Sequence, residues 1–371
     1  REVFERANID FDKYLQLTPL DPLYTLYFNE YTLKPSSDIN QTKEVFESVY
    51  PGAGNDYLKW YQKQTTKFKR VMPILQKPFP NIFHFLRADV LKGAPVLHPF
   101  QSVFKYLSKL IHHDDLIHTL SFQAKYLGMA SFEAPSVFTI LPYLEHMGGL
   151  YHVEGGLNQV NETMAQLFIK NGGKLHLNTK VDRLWIEKRT VKGIITDQLH
   201  QSYDDVILNA DFAYSMLAMT KDKEVKTYHH QKIKSMKYSV SAFMMYLGLD
   251  TIFDFDHHSV FFSKSYEGYL KRLMSESSDV SDMSFYMHNP SKIDKTLAPK
   301  GHSSLYILVP VPNLDANIDW KTEQETLKKQ VYATILEKTG VDITKHIQME
   351  QILTPQEWQD DFHVYKGAVF N

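Results

Sequence analysis

The sequence predicts an α/β protein of composite build, in which a strand, glycine pair, helix and strand unit is set among helical and β-rich stretches. Three observations carry that prediction. Tyr151-His152-Val153 reads as a short strand running into Gly155-Gly156, and residues 157–171 follow with apolar side chains at three- and four-residue spacing. After Asn171-Gly172-Gly173 come short alternating or β-branched runs at 174–177, 181–187, 191–195 and 205–208. The chain has 371 residues, beyond the roughly 100 to 200 of one ordinary domain, so one large composite domain or two are expected.

Ahead of that unit, residues 9–33 hold short apolar and Tyr-rich runs broken by Pro19 and Pro22, with Pro35 just beyond, which suits strands and turns. Residues 42–50 read as a short helix closed by Pro51-Gly52-Ala53-Gly54. Asn55 or Asp56 is then placed to cap a long helix from near Tyr57 past Lys69. Punctuation is dense between Pro73 and Pro99, and helical spacing returns over 99–110 and 114–127, so 55–150 reads as mainly helical. Beyond the glycine unit, strands are expected at 240–249, 260–263, 285–288 and 304–309, followed by a helix over 322–339.

Composition excludes several classes of function. Lys plus Arg number 41 against 43 Asp plus Glu, a net charge of −2, which gives no electrostatic case for nucleic acid. Cysteine is absent, so disulfides, thiolate metal sites and cysteine nucleophiles are excluded, in keeping with a reducing compartment. No apolar run approaches the ~20 residues of a spanning helix, and the opening residues are charged rather than signal-like. Neither GxSxG nor HExxH occurs. In His112-His113-Asp114-Asp115 the aspartates read as helix-capping carboxylates, while His229-His230 and His257-His258 fall in polar segments; no metal is expected. The six lysines of 221–237 read as a solvated connector. Gly52-Ala53-Gly54 has neither a preceding strand nor a third glycine at the right spacing, and is no dinucleotide fingerprint.

Gly155 and Gly156 permit positive φ, and a helix beginning there offers free N–H groups to an anion; read alone, the pair fits an ordinary tight turn as well. Its setting is more specific. The block from Gly155-Gly156 through the helix to Gly172-Gly173 and the strand at 181–187 resembles that of the flavin-containing amine oxidase and phytoene desaturase superfamily. Phe122-Gln123-Ala124-Lys125-Tyr126-Leu127-Gly128, Ala134-Pro135-Ser136 and Gly148-Gly149-Leu150-Tyr151 are similar to the bacterial carotenoid desaturases, the dehydrosqualene desaturases above all. Ser241-Ala242-Phe243, Tyr246-Leu247-Gly248, Asn289-Pro290-Ser291 with Asp294, Ala298-Pro299, Gly301, Thr354-Pro355 and Gly367-Ala368-Val369-Phe370 continue the resemblance over essentially the whole chain.

The resemblance implies an amine oxidase-like FAD-binding fold with an inserted α+β substrate domain. Residues 1–54 and 216–350 are then expected as β-rich substrate-domain segments and 55–150 as a helical, membrane-facing one. Residues 151–215 belong to the FAD-binding domain, to which 351–371 return. It implies FAD as cofactor and desaturation of a C30 or C40 isoprenoid chain as activity, with terminal oxygenation on the same scaffold, or a non-catalytic apolar-ligand binder, as alternatives. Gly155, Gly156, Val181, Ala210 and Asp211 match cofactor-facing positions, and Tyr126, Phe132, Phe138 and Tyr143 lie in the stretch that contributes to an apolar substrate tunnel. Glu145, His146 and His152, just ahead of the glycine pair, are candidates for a general base by position. Peripheral membrane association in the cytoplasm is expected, because polyenes partition into bilayers. The family's opening GxGxxG turn and closing glycine-rich stretch have no counterpart here, so the chain is expected to be a central portion, inactive alone.

Overall fold

The computed structural model describes residues 1–98, 100–275 and 277–370; Pro99, with which one predicted helical stretch opens, lies outside them. Its strands are β1 (Leu17–Leu20), β2 (Thr25–Tyr27), β3 (Thr32–Leu33), β4 (Leu150–Val153), β5 (Arg183–Glu187), β6 (Thr190–Ile195), β7 (His200–Ser202), β8 (Ser241–Leu249), β9 (His258–Phe261), β10 (Phe285–His288), β11 (Ser303–Val311) and β12 (Ile347–Leu353). Seven of them form one sheet in the order β12-β8-β11-β10-β9-β2-β3, antiparallel except where β2 joins β9 in parallel. β1 and β4 make a separate antiparallel pair, and β5, β6 and β7 a small antiparallel sheet.

Alternation along the large sheet gives it two unlike faces. In register across β9, β10, β11 and β8, His258, His288, Tyr306 and Tyr246 form one row, and Val260, Tyr286, Leu308 and Met244 the next. All of these but Val260 and Met244 stay half-buried. Residues one step along point the other way, so Phe261, Phe285, Met287, Ile307 and Met245 are fully enclosed. Leu327, Val331 and Ile335 of the Trp320–Thr339 helix, at four-residue spacing, belong to the same core.

The Ala53–Leu75 helix buries Tyr57, Trp60, Gln64, Lys67, Val71 and Ile74, alternating steps of three and four that give one continuous inward stripe. It begins earlier than the sequence suggests. Gly52, at φ 90°, is the N-cap, and the Glu47 carboxylate accepts from Gly52 N at 2.8 Å and Gly54 N at 2.9 Å. A side chain on Gly54 would stand 2.7 Å from the Lys43 carbonyl oxygen, so that glycine is required by packing. Asp56 therefore caps nothing; it bonds His112 Nδ1 at 2.7 Å.

The glycine unit is present, with β4 leading into the Asn158–Lys170 helix, but two expected strands are not. Residues 174–177 and 205–208 form no strand, and Val181 precedes β5 rather than lying in it. Apolar runs become strands only against a hydrogen-bonded neighbour, and none of the described residues supplies one here. Leu177 is 73% exposed and Ile207 91%. β12, β7 and β2 with β3 carried too little alternation to be read individually.

Among the described residues, Lys67 is the one lysine whose side chain is fully enclosed, at 2% exposure. Its Nζ donates to Ser136 O at 3.1 Å and Thr139 Oγ1 at 2.9 Å and lies 4.3 Å from the Tyr106 ring centroid, pinning the long helix to the 136–140 turn. Burial lowers this ammonium to about 8. A lysine depressed in the folded state is a stability cost below that value, relieved as pH rises towards the unfolded value of about 10.4. Urea unfolding of Lys67→Met beside wild type is therefore expected to show the methionine variant's relative stability shrinking between pH 7 and pH 10; parallel profiles would refute this reading.

Candidate active site

β4 buries its last two side chains on opposite sides, Val153 among Phe4, Leu15 and Leu167 and His152 against His257 and Asp294 of the large sheet's β9 and β10 ends, and the chain then turns at Gly155 and Gly156, both at positive φ (80° and 89°). The turn is fixed by one side chain. Asp294 Oδ2 accepts from His152 Nε2 at 2.9 Å and from Gly155 N at 2.7 Å, while Oδ1 accepts from Thr296 N at 2.9 Å and Thr296 Oγ1 at 2.6 Å. Burial alone would push this carboxyl up, but the bonds from Thr296, His152 and Gly155 outweigh it and hold it below the ordinary carboxylate range. After the turn, the Asn158–Lys170 helix begins at Leu157 with no side-chain cap, Gln159 N and Val160 N turning back to the Gly156 and Leu157 carbonyls at 3.1 Å.

A second polar chain runs through the helical side of the protein. Glu145 Oε2 accepts from Gln123 Nε2 at 2.8 Å, Gln123 Nε2 also meets the Tyr24 hydroxyl at 3.4 Å, and Tyr24 reaches His146 Nε2 at 3.1 Å. The other imidazole nitrogen meets the Tyr57 hydroxyl at 3.0 Å. Burial lowers His146 to about 3, so it is neutral and bridges two tyrosines. Burial pushes Glu145 up to about 7, against the pull of hydrogen bonds from Gln123, Tyr126 and Tyr24, so both of its protonation states are populated near neutrality. Tyr126 is 55% exposed, yet surrounding protein and the Glu145 carboxylate raise its phenol. Open surface amid surrounding protein marks it as lining an internal cleft, with the phenols of Tyr306 and Tyr286 among its electrostatic neighbours.

The sequence of this chain matches the flavin containing amine oxidoreductase family over residues 24–369. It is also 37% identical, over its whole length and 73% of the relative's, to a 4,4'-diapophytoene desaturase (4,4'-diapolycopene-forming) of Methylomonas sp. The chain belongs to the flavin-containing amine oxidoreductases, on their carotenoid desaturase branch. A phytoene desaturase (neurosporene-forming) of Rhodobacter capsulatus is 28% identical over the whole chain and 72% of its own length. Two solved structures share the fold. An oxidoreductase of Methanosarcina mazei matches with a TM-score of 0.57 at 14% identity, over 94% of this chain and 71% of that one. A putrescine oxidase variant matches with 0.57 at 11%, over 97% and 71%.

Membership makes a flavin the cofactor, and the turn fits one: two consecutive glycines at positive φ, a backbone that L side chains rarely adopt, lead into a helix N-terminus without a side-chain cap. Of the other cofactor-facing positions, Ala210 is exposed and Val181 half-buried. Asp211 uses its carboxylate to cap the Phe212–Met219 helix, accepting from Tyr214 N at 2.7 Å. Among the tunnel residues, only Tyr126 opens on the cleft beside Glu145. Phe132 and Phe138 pack on the core, and Tyr143 is 2% exposed, donating to Thr65 Oγ1 at 3.1 Å. Tyr143 lies on the buried stripe of its helix and joins it to the long helix instead. His146 and His152 are likewise committed to hydrogen bonds inside the protein, which leaves Glu145 as the titratable candidate. Sequence reasoning missed Tyr286, His288 and Tyr306; the strict alternation of β10 and β11 was the available signal. It also put His257 in a polar segment, whereas that side chain is enclosed.

Because the folded-state value of Glu145 lies above the unfolded value of about 4.3, its stabilisation is full below that pH and is lost as pH rises through about 7. Chemical denaturation of Glu145→Gln is expected to show the variant gaining on wild type between pH 5 and pH 8, by on the order of 2 kcal/mol. A difference that stays constant over that range would remove Glu145 as a group titrating near neutrality.

Proposed function

We propose that the protein desaturates a C30 or C40 isoprenoid chain in carotenoid biosynthesis, with FAD as the flavin. The observation that carries this is the 37% identity, along every part of the chain, to a 4,4'-diapophytoene desaturase. The geometry supports it. A long apolar substrate needs a wall rather than a set of charges, and the half-open sheet face offers Tyr246, Tyr286, Tyr306 and Leu308 beside the glycine turn.

Forming each double bond removes one hydride and one proton from neighbouring carbons. FAD, when bound, supplies the hydride acceptor that no side chain can provide. The chain's own residues do the rest: the aromatic face orients the polyene and excludes water, Asp294 holds the glycine turn rigid, and Glu145, as carboxylate, takes up the proton.

The test is to express the complete gene, load the protein with FAD, and supply 4,4'-diapophytoene or phytoene in vesicles with an oxidant. Product absorbing at longer wavelength with unchanged oxygen content is expected, at a rate lowered at least tenfold in Glu145→Gln. Oxygen-bearing product would shift the assignment to a terminal oxygenase, and tight polyene binding without flavin would shift it to an apolar-ligand binder.

Membrane contact belongs to the same proposal. No helix among the described residues is long and apolar enough to cross a membrane, but Ile82, Phe83, Phe85, Leu86 and Leu91 all turn their side chains to solvent, interspersed with Lys92 and with Lys77 and Arg87, which share the Asp89 carboxylate, leaving a net positive charge. A short apolar projection with basic flanks suits insertion at the interface of an anionic bilayer, where a polyene can be withdrawn. Replacing Phe83 and Phe85 together by Ser is expected to lower co-sedimentation with anionic vesicles by roughly tenfold; unchanged sedimentation would move the contact elsewhere.

A further inference from the structure

Three histidines far apart in sequence converge where β4 meets the large sheet. His152 lies on β4, His257 just before β9 and His288 at the end of β10. His257 Nε2 stands 3.1 Å from His152 Nδ1 and 3.3 Å from His288 Nε2, and one nitrogen of each of the three falls within 4.8 Å of the others. Four-coordinate binding at 2.0–2.1 Å spaces ligand nitrogens about 3.3 Å apart. His152 and His257 are buried and His288 half-buried.

The hydrogen count at this point is unbalanced. Asp294 takes the hydrogen of His152 Nε2, so His152 Nδ1 faces the cluster as a bare lone pair. His257 Nε2 then confronts two imidazole nitrogens, and a single N–H there can serve both only as a three-centre bond. Neutral imidazoles in this arrangement can turn lone pairs inward. The Nδ1 atoms of His257 and His288 have no protein partner, so no hydrogen bond fixes the opposite tautomer. Asp294 on the outer nitrogen of His152 reproduces the carboxylate, histidine, metal arrangement by which proteins orient a ligating imidazole.

From this geometry we infer that His152 Nδ1, His257 Nε2 and His288 Nε2 form a site for one divalent transition-metal ion of the zinc type, oriented through Asp294. The ligand set, three imidazoles with a fourth position open, is borderline-soft and compact, which suits Zn²⁺ or Co²⁺ and disfavours Mg²⁺ and Ca²⁺. A bound ion would clamp β4, and with it the glycine turn, to β9 and β10. The inference concerns the histidines alone and stands whether or not the protein is a desaturase. It departs from the metal-free expectation of the sequence, which had no way to bring these positions together.

The test uses the whole protein, stripped of metal by a chelator and titrated with Co²⁺. One equivalent should bind with the intense visible absorption of tetrahedral nitrogen coordination, and Zn²⁺ should displace it and raise the melting temperature. His288→Ala should weaken binding at least a hundredfold, and Asp294→Asn by 10- to 100-fold, whereas His112→Ala should bind as wild type. Weak octahedral-type absorption, no stoichiometric binding by wild type, or wild-type affinity in a His288→Ala protein with native circular dichroism would each overturn the site. The wild-type spectrum and stoichiometry decide the matter even if a variant fails to fold.

Discussion

The carboxylate of Asp294 is the constraint on which the site depends. It belongs to the turn after β10, yet two of its four hydrogen bonds determine how two otherwise separate parts meet, one from the backbone of the glycine turn and one from a strand outside the large sheet, while the other two close its own turn. A buried charge tolerates such a position only when donors surround it. Here the donors it needs are the groups whose placement matters, so solvation of the charge and alignment of the site are one requirement.

The large sheet divides its labour by side-chain chemistry. On its closed face Phe, Met and Ile fill space against a helix; on its open face the same strands present Tyr and His, whose polar tips accept a wet surface while their rings stay apolar. A wall of that kind can turn towards a cleft without collapsing onto it. The Tyr24, His146 and Tyr57 chain does comparable work on the helical side, since a neutral imidazole between two hydroxyls satisfies groups that would otherwise be orphaned in the core.

Much of this was legible in the sequence. The long helices announced themselves by three- and four-residue spacing, and the glycine pair by its position between a strand and an amphipathic helix. The strands at 285–288 and 304–309 were found, though not that their alternate residues form the site's wall. What could not be read was anything requiring a partner. The runs at 174–177 and 205–208 have strand composition without a neighbour to pair with, and local pattern does not distinguish the two cases. Nor does pattern bring His152 to His257 and His288, or show that Tyr143 faces the core while Tyr126 faces the cleft. Glu145 was placed by proximity in sequence to the glycines, and only the burial of its carboxyl makes it chemically distinctive.

The strand order of the large sheet also governs when that sheet can exist. β2 and β3 arrive within the first 33 residues, but their neighbour β9 begins at His258, and β12 at the opposite edge ends at Leu353. Each flank is therefore joined by contacts of long sequence separation, for which loop-closure entropy must be met before pairing rewards it. During synthesis the β2–β3 hairpin emerges with its parallel partner β9 still more than two hundred residues from translation, so its edge of the sheet waits for a strand made long afterwards.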